Sequence, residues 1–347
     1  MAGAGYFAGF HAEAWHRLPG VTIAAVADTD EARARQFAAR WGIPAVYTGV
    51  ADMLARERPA FLDIVTPPAT HPALTELAAA AGVNVICQKA MAPTPEQCLA
   101  MVEACERARV RLLIHENWRW QPWYREIKRL IDAGRFGPVF HLGFRLRCGD
   151  GRGPQPYPAQ PYFRNMERLL VYETLIHFLD TFRFLAGELR SVFCRTARVN
   201  PVIRGEDCAL IQMVFGSGAQ GLIDANRISG PPQPDPAFGT FRLEGECGMV
   251  RMAPDGRLFV TEHTGQEAAH DYAVAQLGYR GDSVRAFQEH ALACLRSGQP
   301  CESEGREYLK TMAAMEACYQ SAASGLPVSL MPAPAPTSGR LRLRCRS

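Results

Sequence analysis

The chain has 347 residues, 48% of them apolar and 21% charged, with a formal net charge of +3 at pH 7. That length and balance describe two folded domains with a substantial core and exclude a disordered or fibrous chain. The positive charge is local: Arg340, Arg342, Arg344 and Arg346 carry it, residues 331–347 hold no acid, and removing that tail turns +3 into −1, so nothing in the body points to nucleic acid. Eleven cysteines, an odd number without C-x-x-C spacing, indicate reduced thiols rather than a disulfide framework or a zinc site. The absence of an 18-residue apolar run and of a leader-like start predicts a cytoplasmic protein that does not engage a membrane.

The first element is a turn. Gly3-Ala4-Gly5-Tyr6-Phe7-Ala8 reads G-x-G-x-x-A, followed by a helix over 7–18 and by a β-rich run, Val21 to Asp28, that ends on an acid. In such a turn glycine lets the backbone approach a pyrophosphate seated on the amino end of the helix, and the acid accepts the adenosine ribose hydroxyls. Asp28 therefore predicts NAD over NADP, because a carboxylate there repels a 2′-phosphate. Arg33 and Arg35 are expected to be exposed on the next helix, with NADP tolerated if Arg33 swings toward the ribose. Only Met1 and Ala2 precede Gly3, so the central first strand of this fold looks truncated. The sequence reading favours a start assigned too late, since a missing central strand leaves sheet edges open to aggregation.

Strands and helices then alternate. Phe61–Thr66, Asn84–Lys89 and Leu112–His115 read as strands; a helix over 72–81 ends at Gly82, and Thr94-Pro95-Glu96-Gln97 is a capping box opening a helix to about 108. The alternation predicts a parallel sheet with ligands at the carboxyl ends of its strands, where Thr66, Gln88, Lys89, His115, Glu116 and Asn117 fall. Cys87, beside them, reads as a small buried strand residue.

After Pro122 the rhythm changes. A helix to about 133 and a strand over 139–147 lead to a Gly/Pro-rich loop, a long apolar helix over 167–186, and strands near 191–199, 207–215, 218–227, 239–246 and 257–262. Helices near 282–296 and 304–323 finish the body. The fold class is thus α/β: a dinucleotide-binding Rossmann domain over 1–121, and an α+β domain over 122–330 with an open, mostly antiparallel sheet, whose last helix is free to pack on the first domain. Residues 331–347 read as a disordered Pro/Ala and Arg-rich tail. On the long helix Glu173, His177 and Asp180 are spaced i, i+4, i+7 and share one face, where a carboxylate can set the tautomer of an imidazole. A core histidine held by a carboxylate has the same pattern, and Asp180 with Arg183 reads as an i, i+3 ion pair.

Together these segments resemble the Gfo/Idh/MocA family of sugar and inositol oxidoreductases, over nearly the whole chain to about residue 330. Thr66-Pro67 with His71 is similar to the family's T-P-x-x-x-H turn beneath the cofactor, and Gln88-Lys89-Ala90 stands for its Glu-Lys-Pro. Asn117-Trp118-Arg119-Trp120 is similar to its N-x-R-aromatic stretch, and Glu173 to His177 stand where it has D-x-G-x-H. Gln88, Ala90 and Glu173 depart from the family pattern. Gly149-Asp150-Gly151, Tyr162-Phe163-Arg164, Asn200-Pro201 and Gly205-Glu206-Asp207 resemble the branched-pentose branch, the D-apiose dehydrogenases.

The resemblance implies an NAD-dependent dehydrogenase that oxidises a sugar or polyol hydroxyl. It implies His177 as the base, oriented by Glu173, and Lys89 on the reacting oxygen, with the roles of Lys89 and His177 exchangeable. Cofactor contacts are expected from Gly3, Gly5, Tyr6, Phe7, Asp28, Thr66, Pro67, His71, Gln88, Lys89 and Asn117, and sugar contacts from Lys89, Arg119, Trp120, Tyr162, Arg164 and His177. No metal is expected. The open sheet implies a homodimer or homotetramer. A redox-neutral NAD-dependent glycoside hydrolase and a silent NAD- or sugar-binding protein remain as alternatives, separated from the first reading by net NADH.

Overall fold

The computed structural model describes residues 1–232, 235–262 and 265–330; the tail expected to be disordered, 331–347, lies outside them. The chain divides into two units, Met1–Gln121 with Ala275–Met312, and Pro122–Val274 with the chain from Ala313 onward.

In the first unit α1 (Ala8–His16) leads to β1 (Ala25–Ala27), α2 (Glu31–Trp41), β2 (Ala45–Tyr47), α3 (Val50–Glu57), β3 (Phe61–Ile64), α4 (His71–Ala80), β4 (Asn84–Gln88), α5 (Pro95–Ala108) and β5 (Leu112–His115). Local chemistry sets the helix ends. The Asp30 carboxylate accepts the Arg33 N–H to open α2, Gly42 closes it at φ +60°, and Thr94 accepts the Gln97 N–H ahead of Pro95 in α5. The parallel pairs are β1–β2, β3–β4 and β4–β5.

Ala2 joins the two groups of strands by bridging in parallel to Ala27 and Ile64. Ala2 N–H donates to Asp63, Gly3 N–H to Ala27, Ala27 N–H to the Met1 carbonyl and Val65 N–H to the Ala2 carbonyl, all at 2.8–2.9 Å. The order is therefore β2, β1, Ala2, β3, β4, β5. The expectation of a missing strand is corrected to this extent: three residues, Met1 to Gly3, do its hydrogen bonding at the carboxyl end of the sheet. Toward the amino end the gap is a cavity of about 420 Å³, bordered by Val21, Ile23, Phe61 and Leu295 among others. Of the expected 21–28 run only Ala25–Ala27 pairs as a strand.

The second unit begins with α6 (Pro122–Asp132) and β6 (Val139–Arg147). The expected helix over 167–186 is instead π-helical over Leu170–Leu175 and α-helical only in α7 (Ile176–Ala186). Then come β7 (Leu189–Ala197), β8 (Cys208–Phe215), β9 (Gln220–Asn226), β10 (Gly239–Gly245), β11 (Gly248–Met252), β12 (Leu258–Glu262) and β13 (Ala268–His270).

After β13 the chain returns to the first unit with α8 (Ser283–Ser297), whose Phe287, Ala291 and Cys294 form one apolar cluster with Trp15, Leu18, Ile86, Leu113 and Trp120. Residues 275–312 thus belong to the first unit, not to the second domain as the sequence pattern assigns them. The apolar stripe of α8 covers strand side chains of the parallel sheet. The division falls within α9 (Gly305–Ser324), and β14 (Val328–Ser329) closes the second sheet.

That sheet runs β13, β12, β11, β10, β6, β9, β8, β7, β14, and every neighbouring pair is antiparallel except the parallel β6 and β9. Its inner face packs on α7, with Phe144 stacked on Phe178 at 3.8 Å and Phe182 edge-on to Phe241 at 5.8 Å. The outer face carries Phe193, Leu210, Val214 and Leu222 exposed or half-buried. Among the described residues no helix is long and apolar enough to cross a membrane.

Candidate functional site

Gly3 has φ +96°, and a Cβ there would stand 2.3 Å from the Val65 carbonyl oxygen, so the turn accepts only glycine. Gly5 is exposed, and a Cβ on it would meet nothing. The helix α1 starts without a side-chain cap, which leaves its first N–H groups for an anion. Open space at Gly5, uncapped amides and an acid after β1 together fit a dinucleotide. Tyr6 is exposed, edge-on to Phe10, while Phe7 packs on Phe10, His11 and Tyr279.

The Asp28 carboxylate accepts the Ala4 N–H at 2.9 Å and the Asp30 N–H at 3.0 Å, and Arg33 forks onto it through Nε at 3.2 Å and Nη2 at 2.7 Å. Burial alone raises this carboxyl, but the Arg33 guanidinium and the two N–H groups outweigh it and hold Asp28 below the usual range. Arg33 is exposed, as expected, and its guanidinium is turned back onto Asp28. Arg35 pairs with Glu31 at the surface.

At the end of β3, Thr66 shares a hydrogen bond with Thr70, and Pro67 precedes a 3₁₀ turn over Pro68–Thr70. His71 is buried, with Nε2 2.8 Å from the Thr66 carbonyl and Nδ1 3.1 Å from the carbonyls of Ala90 and Met91, so one ring ties both ligand-side turns together. Desolvation is the largest influence on it and lowers its pKa.

At the end of β4, Gln88 is buried; its Oε1 accepts the Lys89 N–H at 2.7 Å, and its Nε2 lies 3.2 Å from His11 Nε2. His11 Nδ1 reaches Asp63, which also accepts from Trp15 Nε1 at 2.7 Å. Lys89 is half-buried. Asn117 Nδ2 donates to Ser283 Oγ at 2.8 Å, Arg119 Nη1 to the Glu302 carbonyl at 3.3 Å, and Trp120 lies in the apolar cluster against α8. Arg119 and Trp120 thus have packing or backbone partners within their own unit.

In the second unit Glu206 organises the π-helical turns. Its carboxylate accepts the N–H groups of Leu169 and Val171, and the Tyr319 hydroxyl donates to it at 2.6 Å while accepting the Tyr172 N–H at 3.1 Å. Glu173 is half-buried and His177 is buried. Their four-residue spacing spans the junction of π and α geometry, and in either geometry residues four apart lie on about the same side of the helix. Asp180 is buried, and Arg183 forks onto Glu188.

Beside Glu173, Thr174 Oγ1 accepts from Arg227 Nη1 at 3.2 Å. Arg227 is buried, ion-paired with Asp150, and lies over the rings of Tyr157 and Phe163 at 4.8 and 5.2 Å. Burial works against its charge, and the Asp150 carboxylate outweighs that and raises its pKa. Tyr162 is exposed, and Arg164 Nε donates to the Pro156 carbonyl at 2.8 Å. Sequence reasoning missed Arg227: one arginine after a strand carries no local signal. It likewise missed His11 and Asp63, whose partnership crosses 52 residues.

A family model described as "Oxidoreductase family, NAD-binding Rossmann fold" matches residues 1–116, and one described as "GFO/IDH/MocA C-terminal domain" matches 124–251. The chain is 37% identical to a D-apiose dehydrogenase of Paraburkholderia graminis over 95% of this chain and 88% of that protein. It is 34% identical to one of Rhizobium rhizogenes over 95% and 96%. It superposes with a TM-score of 0.88 on an oxidoreductase from Agrobacterium radiobacter solved in complex with NAD+, L-tartaric acid and magnesium, at 33% identity over 94% of this chain and 96% of that one. With the glycine turn, the acid after β1 and the antiparallel sheet in place, the chain belongs to the Gfo/Idh/MocA family of NAD-binding oxidoreductases.

Proposed function

We propose that this chain oxidises the anomeric hydroxyl of a small branched aldose, D-apiose foremost, to the lactone. The coarser activity follows from the family and its relatives: an NAD-dependent dehydrogenase acting on a CH–OH group of a sugar or polyol. The similarity to two D-apiose dehydrogenases over 95% of the chain carries the finer reading.

Bound NAD supplies the hydride acceptor. On the protein side, His177 takes the hydroxyl proton as the carbon-bound hydrogen leaves with its electron pair, and Lys89 hydrogen-bonds the reacting oxygen as it gains alkoxide character. Glu173 orients His177. Asp28 holds the adenosine ribose, and Gly3, Gly5 and the α1 amides take the pyrophosphate. Tyr6, Phe7, Thr66, Pro67, Gln88 and Asn117 complete the cofactor's wall, and His71 keeps its two turns in register. Tyr162 is the exposed group assigned to the sugar, Arg164 holds its loop, and Arg119 and Trp120 shape the wall from behind. Arg227 joins the set as the cation that orders Thr174 beside Glu173. The assembly is a homodimer or homotetramer in the cytoplasm, formed through the outer sheet face bearing Leu210 and Val214.

NADH formation at 340 nm with D-apiose, other aldoses and inositols tests the reading. Lys89→Ala and His177→Ala should each lower kcat by about 10²- to 10⁴-fold. NAD bound without net NADH for any sugar would reject the dehydrogenase. Light scattering at a mass near 38.2 kDa would reject self-association.

A further inference from the structure

We propose that the first unit holds a zinc-class cation on His290, Cys294 and Cys301, apart from the cofactor turn. His290 and Cys294 are one helical turn apart on α8, so both project from the same face. Gly298 ends that helix in the left-handed region at φ +72°, and the following loop turns back so that Cys301 arrives at the same point. One imidazole nitrogen and two sulfurs then lie within 4.8 Å of one another. Cys294 Sγ is 3.4 Å from His290 Nε2.

Tetrahedral zinc with bonds of about 2.3 Å to sulfur and about 2.0 Å to nitrogen separates its ligands by about 3.5–3.8 Å. The sulfur–nitrogen edge already has that length, and the remaining closure is on the order of an ångström. Two cysteines and a histidine are the donor set of a borderline-soft divalent ion; magnesium and calcium prefer oxygen. Both sulfurs belong to buried residues and the imidazole to a half-buried one, which leaves the fourth vertex to a water on the histidine side.

The surroundings serve as outer partners. Arg111 donates to the Cys294 carbonyl at 2.6 Å and pairs with Glu304, whose carboxylate accepts the Cys301 N–H at 3.2 Å. The His290 ring packs on Trp120 at 4.6 Å with the two planes tilted by 36°. Glu302 N–H donates to His290 Nε2 and the Cys294 thiol to the Pro300 carbonyl. Binding replaces both interactions: Zn²⁺ plus two thiols gives a neutral bis-thiolate and releases two protons. The expectation of no zinc site rests on C-x-x-C spacing, and this pattern, H-x₃-C-x₆-C, is not of that form.

The test uses the full chain, reduced and stripped with chelator. Zinc added under competition with a chromophoric chelator should bind at one equivalent per chain with release of two protons. Cobalt should give thiolate-to-metal charge transfer and tetrahedral ligand-field bands. Cys301→Ser and His290→Gln, checked for folding by NAD binding, should weaken zinc by at least about 100-fold. No stoichiometric zinc in the wild type, an octahedral cobalt spectrum without charge transfer, or undiminished zinc in Cys301→Ser would overturn the proposal. The cobalt spectrum of the wild type decides without recourse to any variant.

Discussion

Replacing Asp28 by Ser tests how the nucleotide turn selects its cofactor. The Asp28 carboxylate accepts two backbone N–H groups and the Arg33 fork, so its oxygens are fixed and charged. A hydrogen bond from a ribose hydroxyl to such a group contributes about 1.5–3 kcal/mol, which corresponds to a Kd about 10- to 150-fold weaker for NAD when the carboxylate is removed. The same change removes the repulsion against a 2′-phosphate and releases the Arg33 guanidinium from Asp28, leaving it only the looser contact with Asp30 at 3.9 Å. NADP should therefore bind more tightly in Asp28→Ser, and Arg33→Ala in that background should abolish the gain without restoring NAD. Calorimetric titration of each variant with both cofactors measures the four affinities. If NAD affinity in Asp28→Ser stays within about threefold of wild type, equivalent to less than about 0.7 kcal/mol, Asp28 does not hold the ribose and the reasoning fails.

The buried Arg227–Asp150 pair should be strongly coupled. Arg227→Met strands a carboxylate, costing about 3–5 kcal/mol of stability, and adding Asp150→Asn should recover part of the loss in denaturant unfolding; equal midpoints for Arg227→Met and wild type would refute this. His71 is held neutral by burial, so below about pH 6.5 the unfolded chain takes up a proton that the folded chain resists, and stability falls as pH drops. His71→Gln should flatten that dependence in thermal unfolding between pH 8 and 5.5, and an unchanged slope would assign it to other groups.

The elements most legible in the sequence were those with strong local signals. Thr94 with Pro95 starts α5 as the capping box predicts, and β5 and β6 fall at their expected bounds. Errors arose where a distant partner decides. Val21–Ala24 has the composition of a strand but borders a cavity, while Met1, Ala2 and Gly3 complete the sheet through bonds to Ala27, Asp63 and Val65. The π-helical turns at 170–175 depend on Glu206 and Tyr319, 35 to 147 residues away, and no periodicity within the helix announces them. The α8 stripe was readable as a helix, but nothing in its spacing says which sheet it covers.

Gln88 shows what a departure from the family pattern does physically. Its Oε1 is identified by the Lys89 N–H, which can only donate, so its amide nitrogen must face His11 Nε2. His11 Nε2 is then the acceptor and its proton is on Nδ1, directed at Asp63. A glutamate at position 88 would bring acceptors to both neighbours, and the network would need one extra proton, on the new carboxyl or on His11. Gln88→Glu therefore binds that proton in the folded state more tightly than in the unfolded one, and its stability relative to wild type should fall as pH rises from 6 to 8. Denaturant unfolding across that range gives the slope, and ¹⁵N resonances of His11 report the tautomer. A variant that tracks wild type at every pH, or a wild-type His11 protonated on Nε2, would show that the network does not run in the direction its donors require.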